Sequence, residues 1–359
     1  MSKRDNIMKI WQESFKDPKS YVAMYFDRVY RDDEALTLAD PQGETVSSLL
    51  LQHYSLTFHG TSLPLGYIAG AATRRSQRGK GYMSRLMTEA LRASAARGDA
   101  MVALIPANEA LYYFYARFGF ETLFYTKEQR FTALHTFPVQ GEYTSLPAGQ
   151  GDEVWEAFDR FQRARKCYVT HTRRQFDNLL ADLEADGGNF VVTSVDDPDS
   201  GPRIVSMAWA IRKDDLLLVT DVMGESEDAR TASLRELRRL HPGVPFLLYG
   251  RPTDNIGGRL MPRGMGRVVN VMSALSAVAE AYPKLATRIR VTDHLLPELN
   301  SHTYVIRDGV CVTDDTIPAD KLDFDVTVEV LGAILFSSPV VGGILRFPSE
   351  RPMISLMLD

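Results

Sequence analysis

The sequence predicts an α/β protein, and three observations carry that prediction. From Leu65 to Phe118 the order reads strand, glycine turn, helix, strand, helix, which is the alternation of an α/β unit. Beyond Gly151 the same alternation recurs with fewer motifs. The composition, 45% apolar and 24% charged over 359 residues, is that of an ordinary globular protein long enough for two or three domains. It excludes a disordered chain, a collagen-like chain and a disulfide scaffold. A net charge of -5 also argues against a dedicated nucleic-acid binder, which normally carries a basic excess.

The elements follow in order. Residues 18–30 carry a helical stripe of Val22, Met24, Tyr25 and Val29. Strands are expected at Ala35–Leu38 and Val46–Phe58, the latter with Leu50, Tyr54, Leu56 and Phe58 on one face. Leu65–Thr73 is a strand rich in small residues. From Met83 the residues Leu86, Met87, Ala90, Leu91 and Ala95 form an amphipathic helix, with Gly98 as its C-cap. A short strand at Met101–Ile105 precedes a helix over Asn108–Phe118 that stops at Gly119.

The Pro- and Gly-punctuated stretch Phe137–Gly151 reads as a domain boundary. After it come helices at 152–165 and 172–183, strands at 190–195, 204–211 and 215–221, a helix at 226–240 and a strand at 246–249. A helix near 268–281 follows, then strand-like runs at Thr303–Ile306 and Phe324–Val330. The apolar end, Ile354–Asp359, is expected to be tucked into the structure, by docking or by closing the last domain's sheet. The N-terminal MSKRDNIMKIWQESF lacks the apolar core of a secretory signal, and no run nears the roughly 18 apolar residues of a membrane span. A cytoplasmic protein without a membrane partner is expected. Cys167 and Cys311 fit no CxxC pattern and the seven histidines no HExxH, so no metal is expected.

The strongest chemical signal is Arg78-Gly79-Lys80-Gly81-Tyr82-Met83, between a strand and a helix. Its glycines allow close backbone approach, and the N–H groups at the start of the next helix, through Ser84, offer donors and a positive dipole end to an anion. A pyrophosphate suits it, with Arg78 and Lys80 adding charge; a glycine turn with solvated basic residues is the plainer reading. The sequence holds neither GxxxxGK[ST] nor GxGxxG here. It resembles the acyl-CoA-binding motif of the GCN5-related N-acetyltransferases (GNAT), Arg/Gln-x-x-Gly-x-Gly/Ala, as Arg78-x-x-Gly81-x-Met83. Met83 stands where that family has a small residue.

A second motif sharpens the resemblance. Tyr115-Ala116-Arg117-Phe118-Gly119-Phe120, with Asn108 upstream, is similar to the family's Tyr-x-x-x-Gly-Phe element, whose tyrosine protonates the leaving thiolate. A phenol suits that step. Tyr112, Tyr113 and Phe114 read as packing aromatics. The chain as a whole is identified as similar to the Eis-type (enhanced intracellular survival) acetyltransferases. That resemblance implies a catalytic GNAT domain at 1–136, a degenerate GNAT-like domain at 137–285 and a sterol-carrier-protein-like α+β domain at 286–359.

The resemblance further implies acetyl-CoA as co-substrate, bound by Ala71, Ala72, Thr73, Arg78, Gly79, Lys80, Gly81, Tyr82, Met83, Ser84 and Asn108. A strand N–H near Ala71–Thr73 would polarise the thioester carbonyl. Tyr115 and the C-terminal carboxylate of Asp359 would be the catalytic acid and base. His53 and His59, on one strand face, are the rival bases. The expected acceptor is a primary amine: a small cationic amine, an aminoglycoside-like molecule or a lysine. Residues 286–359 hold eleven acidic against six basic residues, the whole of the chain's net charge, which would attract such a cation. The family also implies a homo-oligomer, often a hexamer. A non-catalytic CoA- or apolar-ligand-binding protein is the alternative, favoured by Met83 and opposed by Tyr115. The later Arg263-Gly264-Met265-Gly266 reads as a turn, and Arg235–Arg239 as a solvated helix face.

Overall fold

Helices laid on mixed sheets make up the chain in the computed structural model, which describes residues 2–146, 149, 151–197, 201–254 and 257–358. Two compact units divide it. One runs up to Phe124 and takes in Pro262–Pro352; the other is Tyr125–Met261 with Met353–Leu358.

The first unit opens with α1 (Lys3–Ser14), a helix not foreseen from the sequence. Ser2 and Asp5 cap it reciprocally, and Ile7, Ile10 and Trp11 are its buried face. The expected helix over 18–30 is α2 (Lys19–Met24), continued by a π-helical turn at Tyr25–Val29. Strands β1 (Ala35–Ala39), β2 (Thr45–Phe58) and β3 (Thr61–Thr73) form an antiparallel meander. Next comes α3 (Tyr82–Arg97), which buries Leu86, Met87, Ala90 and Leu91 and ends at Gly98 in the left-handed region (φ 91°). β4 (Met101–Leu104) returns parallel to β3, and α4 (Glu109–Ala116) and β5 (Glu121–Phe131) follow.

The second unit contains β6 (Thr144–Leu146), α5 (Asp152–Arg163), β7 (Val169–Thr170), α6 (Arg173–Ala185), β8 (Asn189–Asp197), β9 (Gly201–Lys213), β10 (Leu216–Gly224), α7 (Glu227–Leu240) and β11 (Phe246–Gly250). Its strands lie in the order β5-β11-β10-β9-β8-β6, antiparallel except for β10 and β11. Phe158, Phe176, Trp209 and Met207 fill the core on one side. On the other, Arg238 lies over the Phe246 ring, 4.1 Å from its centroid, and donates to the carbonyls of His135 and Thr132. The helix face expected to be solvated therefore holds one structural arginine. Its alkyl stem and planar head suit a half-buried site that a lysine would not fill.

β12 (Arg259–Val268) overturns the expected turn at 263–266. Met265 pairs with Leu104 and Gly266 with Ala103, because the missing side chain at Gly266 lets this strand press against Met101 of β4 and Leu123. After α8 (Val271–Ala281) come β13 (Thr287–Thr292), α9 (Pro297–Asn300), β14 (Thr303–Arg307), β15 (Val310–Thr313), β16 (Phe324–Thr327), α10 (Val328–Leu335) and α11 (Pro339–Leu345). Four of these strands make a separate sheet, β15-β14-β13-β16. The strand expected through Val330 ends at Thr327, since from Val328 the apolar residues recur at helical spacing and bury Leu331 and Leu335. By contacts this sheet groups with the first unit.

The C-terminal segment does not join that small sheet. Tyr168 and Met353 form a parallel bridge, with Met353 donating its N–H to Cys167 and accepting from Val169. Met353, Ile354 and Leu358 are buried. The apolar tail packs within the second unit and does not close the sheet of residues 287–327.

Candidate active site

Two strands that part company create the site. β3 and β4 pair only through Leu65↔Met101, Gly66↔Val102 and Tyr67↔Ala103, and β3 then runs on to Thr73 without β4 beside it. Along that free stretch the register against β2 slips. Ala69 faces Leu50 and Ala72 faces Ser48, so Gly70 and Ala71 together oppose Leu49. This is a β-bulge, which takes a residue out of the ladder and re-aims the strand. Ala71, Ala72 and Thr73, the segment expected to supply the carbonyl-polarising N–H, lie in it and just beyond it. Ser47 secures its far end, with Oγ 3.1 Å from the Ala72 carbonyl and 2.9 Å from Thr73 Oγ1.

Gly70 was not among the expected site residues, yet it builds the bulge. Its φ of 58° is open to glycine, and a Cβ there would collide with the Trp11 ring. A glycine inside a strand pattern is the signal that would have marked it. The Gly70→Ala protein is expected to lose about 1–3 kcal/mol of stability and to acetylate more slowly at saturating acetyl-CoA, checked by melting and steady-state kinetics.

The donor loop follows at once. Its start is tied to α1: Glu13 accepts from the Arg75 N–H at 2.5 Å, and Arg78 reaches Ser14 at 3.5 Å. Arg78 also donates to the Thr73 carbonyl at 3.1 Å, so this guanidinium clamps the loop to the strand. Gly79 and Gly81 both sit in the left-handed region (φ 77° and 80°), and Gly81 is the N-cap of α3 with no side-chain cap. Arg85 is the first α3 residue to donate back, to the Gly81 carbonyl. Among the described residues the N–H groups from Gly79 through Ser84 meet no protein acceptor. Residues 78–81 are exposed, so donors and dipole face solvent, where an anion could reach them. Lys80 bonds Gln77 Oε1 at 2.8 Å at the rim.

Met83 does not close the turn. It is half-buried and packs on the core cluster that contains Leu86, Met87 and Tyr115. Ala71 packs on the same cluster, so the bulge, the start of α3 and the face of α4 share one core. Asn108 is the N-cap of α4, but its exposed side chain makes no capping bond and stays available for a ligand.

Tyr115 is 7% exposed, with its ring 5.2 Å from Phe114 and 6.0 Å from Phe120. Its hydroxyl makes no hydrogen bond among the described residues. Burial pushes its pKa up to about 12, so it is a neutral donor at any working pH. Behind it, Gly119 (φ 77°) ends the turn after α4 where a side chain would strike Arg267. Arg267 donates to the Phe118 carbonyl and holds both oxygens of Asp293, at 2.6 and 2.7 Å, in a fully buried pair. Asp293 also accepts from Asn300 at 2.9 Å and from the Leu295 and Leu296 N–H groups, and these partners hold its carboxyl below the usual range despite burial. Neither Arg267 nor Asp293 was expected at the site, because nothing in the local sequence links residues so far apart.

The rival bases stand elsewhere. His53 is exposed on β2, whereas His59 is at the β2–β3 turn with its side chain buried and bonded to the Tyr282 hydroxyl at 3.1 Å. Asp359 lies outside the described residues.

The second unit repeats the strand-to-helix step at β10 and α7 with opposite electrostatics. Ser226 caps α7, and Glu227 and Asp228 occupy its first turn. Asp228 is tied to the N–H groups of Gln140 and Gly141 and to the Tyr143 hydroxyl. Carboxylates here satisfy the dipole that the α3 start leaves to a ligand.

Comparison with known proteins agrees with this geometry. Residues 1–123 match the Acetyltransferase (GNAT) domain family. No characterised protein sequence matches the chain. Among solved structures, a probable N-acyltransferase of unknown function from Enterococcus faecalis V583 superposes with a TM-score of 0.78 at 15% identity, over 98% of this chain and 96% of that one. Eis1 from Mycobacterium abscessus gives 0.73 at 17% identity, with the same coverage of each chain. A GCN5-related N-acetyltransferase from Kribbella flavida gives 0.73 at 18%, again over 98% and 96%. At these identities the likeness is one of fold across nearly the whole chain.

Proposed function

Starting from a GNAT acetyltransferase domain at the N-terminus, we propose that the protein is an acetyl-CoA-dependent N-acetyltransferase acting on a cationic primary amine. The observation that carries this reading is the convergence on one core of an open row of N–H donors at the start of α3 and a buried tyrosine whose hydroxyl has no bond among the described residues. The pyrophosphate of acetyl-CoA would lie on the donors from Gly79 to Ser84, and the bulge at Gly70 and Ala71 would turn a main-chain N–H to the thioester carbonyl.

The amine nitrogen attacks that carbonyl carbon, and the C–N bond forms as the C–S bond breaks. Tyr115 gives its proton to the departing sulfur. Against a thiol of ordinary pKa about 8.5 that transfer is uphill by on the order of 5 kcal/mol, but the burial that raises the phenol raises the thiol too. The proton of the amine goes to a base, in this reading the Asp359 carboxylate or a water relay. Met83 packs inward and leaves the donors open, so the feature that favoured a non-catalytic binder does not support one.

The wider reading is Eis-type: a catalytic domain at 1–136, a degenerate one at 137–285 and a sterol-carrier-like domain at 286–359, in a cytoplasmic homo-oligomer. The acidic cap of α7 supports the degeneracy, and the separate sheet of residues 287–327 supports the third domain. Thiol release from acetyl-CoA over a panel of polyamines, aminoglycosides and lysine peptides tests the reaction. Release with at least one amine is expected; CoA binding without release on any of them would overturn the proposal.

A further inference from the structure

The second unit contains a cavity of about 570 Å³ at the far ends of β10 and β11, within the range of small-molecule sites. The two strands pair in parallel from Leu217↔Phe246 to Val219↔Leu248 and no further, and α7 lies against the gap. Its walls are unusual in their charge. Arg230 of α7 lines it, and among the described residues the Arg230 side chain has no hydrogen bond or ion pair. The other cations are committed. Arg251 is paired with Asp254 at 2.5 Å. Asp221, on the wall, is held in two bonds by Arg165 at 2.6 and 2.7 Å. Glu227, the remaining carboxylate, is exposed in the first turn of α7, where water screens it.

A guanidinium taken from water without a partner is costly, and burial together with neighbouring Arg251 holds the Arg230 pKa below its usual value. The two internal pairs are neutral, which leaves the carboxylate of Glu227 at the exposed rim and, farther in, Arg230 as the cation of the wall with no ion pair among the described residues. The rest of the wall is mixed: Gln129, Thr231 and Thr253 line it, and the buried residues Phe137, Val222, Leu234 and Leu248 supply an apolar part. We propose that this cavity is a binding site for a small monocarboxylate with an apolar body, its carboxylate on the Arg230 guanidinium and its body against Phe137, Leu234 and Leu248. One negative charge matches an arginine that is unpaired among the described residues, and its planar fork suits a carboxylate. A phosphate dianion would add a second charge with no cation to meet it. This site does not depend on the acetyltransferase reading.

Calorimetric titration of the full chain with benzoate and hexanoate, beside inorganic phosphate, tests the assignment. Saturable one-to-one binding of a carboxylate is expected with Kd below about 1 mM, weakened at least about tenfold in Arg230→Gln and unchanged in Arg92→Gln, an exposed arginine of α3. Crystals soaked in 4-bromobenzoate should show bromine inside the cavity, which decides the matter even if Arg230→Gln fails to fold. Absent carboxylate binding, phosphate binding as tight as benzoate, an Arg230→Gln affinity equal to wild type, or bromine only elsewhere would each overturn the site.

Discussion

Replacing Tyr115 by phenylalanine is expected to lower kcat by about 100-fold or more while leaving the KM for acetyl-CoA and the melting temperature nearly unchanged. The split follows from the geometry. The ring belongs to the core and phenylalanine keeps it, whereas the hydroxyl bonds nothing among the described residues, so removing it strands no partner. Binding of acetyl-CoA rests on the donors from Gly79 to Ser84, on another element. The pH profile supplies a second readout. With its pKa pushed up to about 12, Tyr115 stays protonated throughout the usual assay range, so any limb in kcat below about pH 10 belongs to the base or the amine. An unchanged kcat in Tyr115→Phe would remove this residue from the mechanism.

The second large effect concerns the C-terminal segment. Truncation after Pro352 is expected to destabilise the second unit by roughly 5 kcal/mol, a fall in Tm of about 10–20 °C. The loss has two sources. Met353, Ile354 and Leu358 leave a buried environment, each worth about 1.5–3 kcal/mol before relaxation. The segment also completes a buried polar network. Ser355 donates to Asp221 at 2.5 Å and lies 2.9 Å from the Tyr168 hydroxyl, while Asp221 is the carboxylate held by Arg165. Opening that pair to an incomplete shell is costly, since a buried charge needs all its partners.

His171 adds a pH signature to the same anchor. Its Nε2 lies 3.0 Å from the Leu356 carbonyl, and burial depresses its pKa to about 4. The unfolded histidine, near 6.5, binds a proton that the folded one refuses, so this contribution is full above about pH 6.5 and is lost as pH falls towards 4. Thermal unfolding between pH 7.5 and 4.5 should show it, and the slope should shrink in the truncated protein. Removing Asp359 alone, by contrast, is expected to cut turnover with little change in Tm if its carboxylate is the base. A truncation after Pro352 that melts like wild type would refute the anchor, and full turnover without Asp359 would exclude its carboxylate.

Much of this was legible in the residues themselves. The strand, the glycines and the helix from Leu65 to Gly98 are fixed by local rules: small residues in a strand, φ above zero at Gly79 and Gly81, a 3.6-residue stripe through Leu91. The register of Tyr115 with Gly119 is likewise local, as is the apolar character of the tail. Tertiary structure decided what depends on partners far along the chain. Gly70 becomes a bulge because Trp11 occupies the space of its Cβ. Residues 263–266 become a strand because β4 offers a partner, although their two glycines alone favour a turn. Phe118 is fixed by Arg267 and Asp293, and the tail by Asp221 and Tyr168. An isolated buried arginine or aspartate is forbidden by its desolvation cost, so the sequence shows that each needs a counter-charge, and only the fold shows which one.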